Sequence, residues 1–339
     1  MAGAPPPPRG GGPVRKVLAL AAACLATSAQ AQMEEEPAYR RTVVPRHPLC
    51  LVWPVREYVY HLDAAGSART PGDSEVAAIE ASFDSWRNVS DGCSDYRFTR
   101  GEDWRAPIAV GYDETRPRDN YNIITFRETS CHEVAPADDA CWTEETCGNV
   151  YQCWEHPPGT IGLTTSTFSY RDGRVLDSDI ELNASQPAQG YGFLFTTVDS
   201  PVCEREPSVD CVATDIQNTM THEIGHVVGL DHVFVPGATM EATAPPGETR
   251  KRVIDSGSAA GFCDIYPRHL PPTQCFVREG AGFALKADGR GSGCAAAPGP
   301  VALGLGLAAL VLTRVRRRAV RAAASLRRDE RSWRGRRIL

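Results

Sequence analysis

The pattern of apolar and polar positions divides the middle of the chain into predicted strands and helices. Residues 55–62 alternate at the two-residue period of a half-buried strand. After Asp73-Ser74-Glu75 the period lengthens: Val76, Ile79, Phe83 and Trp86 recur at three- and four-residue spacing, which predicts a helix with one apolar face. Residues 108–112 and 122–126 read as further strands, and 159–170 with 175–183 as a strand pair joined by the turn Arg171-Asp172-Gly173-Arg174. Within 175–183, Leu176, Ser178, Ile180 and Leu182 face one way and Asp177, Asp179 and Glu181 the other. Thr214, with Gln217 three places on, reads as a capping box, and Ile216, Met220, Ile224 and Val227 continue it as the buried stripe of a second helix.

The two ends depart from this pattern. Arg15 and Lys16, the apolar run 17–26 and Ala29-Gln30-Ala31 have the three parts of a secretory signal, with cleavage expected after Ala31. Near the other end, Gly291-Ser292-Gly293-Cys294 precedes the 19 uncharged residues 295–313, followed by Arg314, Arg316, Arg317 and Arg318. Pro298 and Pro300 shorten the usable helix, which makes it marginal against the ~20 residues a bilayer crossing needs. The expected organisation is therefore a signal (1–31), a short segment (32–44) and a folded domain (45–267) with a Cys-rich insertion (129–157). A Pro- and Gly-rich stalk (268–293), a sorting or anchor segment (294–318) and a basic tail (319–339) follow.

Charge sharpens the picture. Residues 32–293 carry 22 basic and 40 acidic side chains, a net charge of −18. Phosphate binding needs a dense Lys and Arg field, so nucleic acid is excluded as a partner, and strongly acidic substrates are disfavoured at low salt. Of 12 cysteines, Cys24 falls in the signal and Cys294 in the C-terminal segment. The other ten read as up to five disulfides of an exported protein, and short loops favour Cys203 with Cys211 and Cys263 with Cys275. Cys131, Cys141, Cys147 and Cys153, near His132 and His156, read as two disulfides or as a second zinc site; the lack of a CxxC pair favours disulfides.

Candidate chemistry is concentrated in His222-Glu223-Ile224-Gly225-His226-Val227-Val228-Gly229-Leu230-Asp231-His232. On a helix, His222 and His226 share a face one turn apart, close enough to hold one zinc ion, while Glu223 points beside the metal. Gly229 can end the helix with a positive φ and return His232 to the same ion. Three histidines leave one coordination position open, the mark of a catalytic zinc; a structural site is usually closed by a fourth protein ligand. The expected reaction is hydrolysis of a peptide bond by zinc-bound water, with Glu223 as general base and then as proton donor to the leaving amine. No nucleophile-elbow serine, P-loop or dinucleotide fingerprint competes with this site. The rival is a surface binding or adhesion module that keeps the zinc without turnover; Glu223, which has no structural purpose beside a metal it does not ligate, favours the enzyme.

This motif, with Met240 in Ala238-Thr239-Met240 eight residues beyond His232, resembles the metzincin peptidases and in particular their matrixin branch. The resemblance implies an α+β zincin fold, a twisted mixed sheet over an active-site helix with a small C-terminal subdomain. It implies one catalytic zinc held by His222, His226 and His232, Glu223 as the catalytic residue, Met240 as an apolar floor, and a closing helix from Val253-Ile254-Asp255 through Phe262 and Tyr266. The substrate would be an extended polypeptide added as a strand to the sheet edge. Glu241-Ala242 stands where matrixins commonly have an aromatic residue and proline, so the specificity-pocket wall differs. Matrixins bind Ca²⁺ near the acidic row, whose other reading is the solvated face of a strand. No cysteine-switch segment precedes residue 55, so control is expected from location or an inhibitor. Residues 294–318 resemble MYXO-CTERM sorting signals, which implies a sorting protease acting near Cys294, membrane contact through this segment alone, and retention at the cell surface.

Overall fold

The computed structural model describes residues 36–186 and 192–275 in full and the backbone of 336–338. The expected signal and the segment 294–318 lie outside the described residues, as do most of the stalk and tail. Strand β1 (Arg40–Arg41) is followed by β2 (Glu57–Leu62), helix α1 (Ser74–Cys93), β3 (Arg97–Arg100) and β4 (Asn122–Arg127). Three short helices come next, α2 (Cys131–Val134), α3 (Cys141–Glu144) and α4 (Cys147–Tyr151). Then come β5 (Gly162–Phe168), β6 (Val175–Asn183), β7 (Phe195–Thr196) and β8 (Thr214–Asp215). Helix α5 (Ile216–Val227), β9 (Leu230–Asp231), a 3-10 turn (Arg250–Arg252), helix α6 (Ser256–Ile265) and β10 (Arg336–Ile338) complete the order.

The main sheet runs β10-β5-β6-β4-β2-β3. Neighbours among β6, β4, β2 and β3 are parallel, while β5 is antiparallel to β6 and β10 antiparallel to β5. This is the expected α+β arrangement of a mixed sheet with helices packed on it. Helices α1 and α5 meet along their apolar stripes: Ile79, Phe83 and Trp86 from one, Ile216, Met220, Ile224 and Val227 from the other, all buried. Burial of each such side chain stabilises the fold by about 1.5–3 kcal/mol. Two polar contacts set how the helices lie, Trp86 Nε1 donating to Thr221 O (2.9 Å) and Ser82 Oγ to Gln217 O (3.2 Å). Trp53 Nε1 similarly donates to Val227 O (2.8 Å) at the far end of α5.

Four expectations are corrected. Residues 108–112 form no strand. Side chains rather than a neighbouring strand satisfy that backbone: Gln152 bonds both N–H and C=O of Ile108, Asn149 does the same for Val110, and Asp179 Oδ2 accepts from Gly111 N. Helix α5 is capped by Asp215, whose side chain accepts from Asn218 N (2.7 Å) and is held by Arg252, not by a Thr214–Gln217 box. The acidic row of β6 is no solvated face, since Asp177, Asp179 and Glu181 are buried beneath the 108–112 segment and the insertion. Cys263 pairs with Cys93 and Cys275 with Cys50, not with each other. The first bond ties α6 to the end of α1, and the second ties residue 275 to the segment before β2.

The short-loop pair Cys203–Cys211 is present, and the insertion is closed by Cys131–Cys153 and Cys141–Cys147. All four insertion cysteines are thereby consumed, so the second-zinc reading has no thiolates left. Glu181 links the insertion to the sheet: Arg127 Nε donates to it at 2.6 Å, and His156 Nε2 lies 3.4 Å away. Burial pushes the Glu181 carboxyl up, but Arg127 and His156 outweigh it and hold it below the usual value.

Candidate metal centre

Helix α5 carries His222 and His226 one turn apart, both buried. The helix stops where the motif demands. Gly229 adopts φ +92°, its N–H bonds to His226 O (2.9 Å), and a side chain there would meet Leu51 O at 2.7 Å. The turn feeds β9, which pairs antiparallel with β1, and His232 follows with its N–H on Asp231 Oδ1 (2.8 Å). The three Nε2 atoms converge: His222 to His232 is 3.1 Å, His226 to His232 3.1 Å and His226 to His222 3.2 Å. Among the described residues this is the one grouping of three or more His, Cys, Asp or Glu spaced to hold a metal ion.

The other ring nitrogens fix the protonation. Nδ1 of His222 bonds Thr239 O (2.7 Å) and Nδ1 of His226 bonds Leu230 O (2.9 Å). A carbonyl only accepts, so each of these Nδ1 atoms carries the proton and each Nε2 presents a lone pair. Burial is the main reason the His222 and His226 pKa values fall, His222 well below 6.5 and His226 to about 3. Burial also lowers His232, against the opposing charge of Asp231. The two helical Nε2 atoms are acceptors that cannot satisfy one another, and the 3.1–3.2 Å separations within the cluster approach the roughly 3.3 Å between nitrogens on a tetrahedral zinc at about 2.0–2.1 Å. The donor set fits that ion.

Glu223 points to the sheet side of the cluster. Thr164 Oγ1 on β5 donates to Glu223 Oε2 (2.8 Å), while a Cβ on Gly162 would stand 2.9 Å from Oε1, so glycine keeps that oxygen's surroundings open. Burial pushes the Glu223 carboxyl up to about 7, against the Thr164 hydrogen bond and the Lys251 charge. Met240 is buried beneath the helix, its Sδ against Gly225 between the two helical histidines. The structure thus brings together every residue singled out in the motif, His222, Glu223, His226, His232 and Met240.

It adds three that the sequence pattern did not reveal. Thr164 comes from a strand some 60 residues earlier. Thr239 holds His222 through its carbonyl, while its N–H and hydroxyl are tied to Asp255, the N-cap of α6. Lys251 lies buried near the centre. The glycine inside predicted strand 159–170 was a local signal for close approach of another group; Thr239 and Lys251 had none. A peptidase family model, described as matrixin, matches residues 52–267. No curated protein matches the chain.

Proposed function

The chain belongs to the matrixin family of zinc-dependent metalloproteases, and from that premise we propose that it is an exported endopeptidase whose single catalytic zinc is held by His222, His226 and His232. The convergence of the three Nε2 atoms, with those of His222 and His226 held unprotonated, carries this reading. Bound there, zinc supplies Lewis-acid polarisation and a water nucleophile near neutral pH. Glu223 is the general base: Thr164 fixes its Oε2, Gly162 leaves room at Oε1 for water, and burial keeps the carboxylate's proton affinity near neutrality. The same carboxyl then hands its proton to the departing amine. Met240 forms the apolar floor of the cluster.

An extended polypeptide adds along β5, the strand that carries both Thr164 and Gly162. Support comes from β10, which already lies antiparallel there with Ile338 opposite Thr165. The peptidase domain spans 45–267, and five disulfides agree with an oxidising destination. Retention at the cell surface through 294–318 belongs to the same reading. We assign calcium to Asp177 and Asp179, buried together with Asp177 Oδ2 lacking a hydrogen-bond partner. The decisive experiment pairs zinc content with cleavage of a denatured protein by chain purified from an oxidising host. One zinc with chelator-sensitive cleavage, lost in Glu223→Gln by at least about 100-fold with zinc retained, is the expected result. Equal activity in the Gln form would overturn the assignment.

A further inference from the structure

Strand β5 has one edge against β6 and the other against β10. The second is the edge along which an extended substrate adds, and residues 336–338 of the chain itself lie on it. Arg336 stands opposite Thr167, Arg337 opposite Ser166 and Ile338 opposite Thr165, antiparallel to β5. The direction from Arg336 to Ile338 therefore leads toward Thr164, whose hydroxyl holds Glu223, and Gly162, which leaves room at its other oxygen. Thr164 is one place beyond Thr165, about 3.3 Å along the strand. A strand edge offers a single row of N–H and C=O groups, so β10 and a polypeptide paired through Thr165–Thr167 cannot occupy it together.

The outgoing chain leaves the domain beside this edge. Gln274 Nε2 donates to Asp172 O (2.9 Å) in the turn joining β5 to β6, its Oε1 accepts from Cys50 N (2.8 Å), and Cys275 is bonded to Cys50. That turn adjoins the Thr167 end of β5, where β10 begins. Charge acts in the same direction. Residues 294–339 carry 11 Arg against Asp329 and Glu330, whereas 32–293 carry a net −18, so the overall field draws the tail toward the domain. The 60 residues 276–335 join Cys275 to Arg336. A tether presents its end at up to about 1 mM, so a tail with an intrinsic Kd of ~0.1 mM fills the edge about ten to one.

We propose that the free edge of β5 is a docking site for the chain's own Arg-rich tail, whose residues 336–338 hold the position of the substrate strand and compete with it. This rests on the endopeptidase reading given above. A cut anywhere between Cys275 and Arg336 turns the tethered competitor into a diffusible one and opens the edge.

The full chain would be compared with its Arg337→Pro/Ile338→Pro form, since proline cannot donate to a ladder. Both changes lie in the tail, outside the catalytic residues. Hydrogen exchange reads the docking without need of turnover: the amides of Thr165–Thr167 that face β10 should exchange about ten-fold faster in the proline form. Steady-state cleavage of a denatured protein reads the consequence, a KM about ten-fold lower in the proline form with kcat and the single zinc unchanged. A synthetic peptide of residues 331–339, added to the proline form at about 1 mM, should restore the higher KM competitively, and the same peptide with both prolines should not. Unchanged exchange, equal KM in the two chains, or equal inhibition by the two peptides overturns the inference and leaves the peptidase reading intact. Faster exchange with no cleavage by either chain overturns the peptidase reading, and the competition falls with it.

Discussion

Thr164 illustrates how much of the centre depends on single atoms supplied from a distance. Its hydroxyl holds one oxygen of Glu223 at 2.8 Å inside a buried site. Thr164→Val preserves shape and removes the donor, leaving a buried carboxylate oxygen unsatisfied at a cost of about 1–3 kcal/mol. The expected outcome is a roughly ten-fold or greater loss in kcat with zinc content unchanged, read by steady-state kinetics on one peptide; undiminished kcat would show that Glu223 needs no such support. The histidines, Glu223, Gly229 and Met240 were legible in the sequence because their geometry is local: a helical turn, a chain reversal and a short return. Thr164 and Lys251 were not, because each reaches the centre from a different element and one-dimensional spacing does not encode that approach; Thr239 sits beside Met240, but it holds His222 through a backbone carbonyl, which no side-chain pattern marks.

Among the elements, β6 departs most from its pattern. The alternation over 175–183 is real, but alternation separates two faces and does not say which is wet. Here the second face is covered, and Asp179 serves as acceptor for Gly111 N (2.6 Å) and Ile123 N (2.8 Å). That role of Asp179 is also why residues 108–112 lack a ladder. Burial raises both Asp177, to about 6, and Asp179, which is pushed further by its acidic neighbour. Since the folded value for Asp177 exceeds the ordinary 3.8, the stability linked to it is complete below about pH 4 and lost as pH rises through about 6. In calcium-free buffer, thermal unfolding should therefore weaken across that window. Asp177→Asn should lessen the slope, leaving the part that belongs to Asp179, and stabilise the neutral-pH protein by roughly 1–3 kcal/mol. A slope undiminished by the substitution would locate the titration elsewhere.

The fold class and most of the main strands and helices could be read at the level of the whole molecule, because hydrophobic period reports which face of each element is buried; the four-residue edge strand β3 was too short to show a period. Cysteine pairing could not, beyond the one short-loop pair Cys203–Cys211. Cys203–Cys211 closes eight residues, whereas Cys93–Cys263 spans 170 and depends on α6 docking against α1. Chain-entropy reasoning gives the long closure the larger effect, so replacing Cys93 and Cys263 with serine should cost about 2–5 kcal/mol in denaturant unfolding, more than the same change at Cys203 and Cys211. Equal losses would contradict that ordering.

Cys50–Cys275 has a mechanical side. Arg41 Nη1 grips Thr273 O at 2.7 Å and Gln274 Nε2 grips Asp172 O at 2.9 Å, so the outgoing chain is fastened beside the same disulfide. Were the chain held through 294–318 as proposed, tension arriving from residue 276 onward would cross a covalent strut into the segment before β2 and would bypass α6 and the turn through Met240.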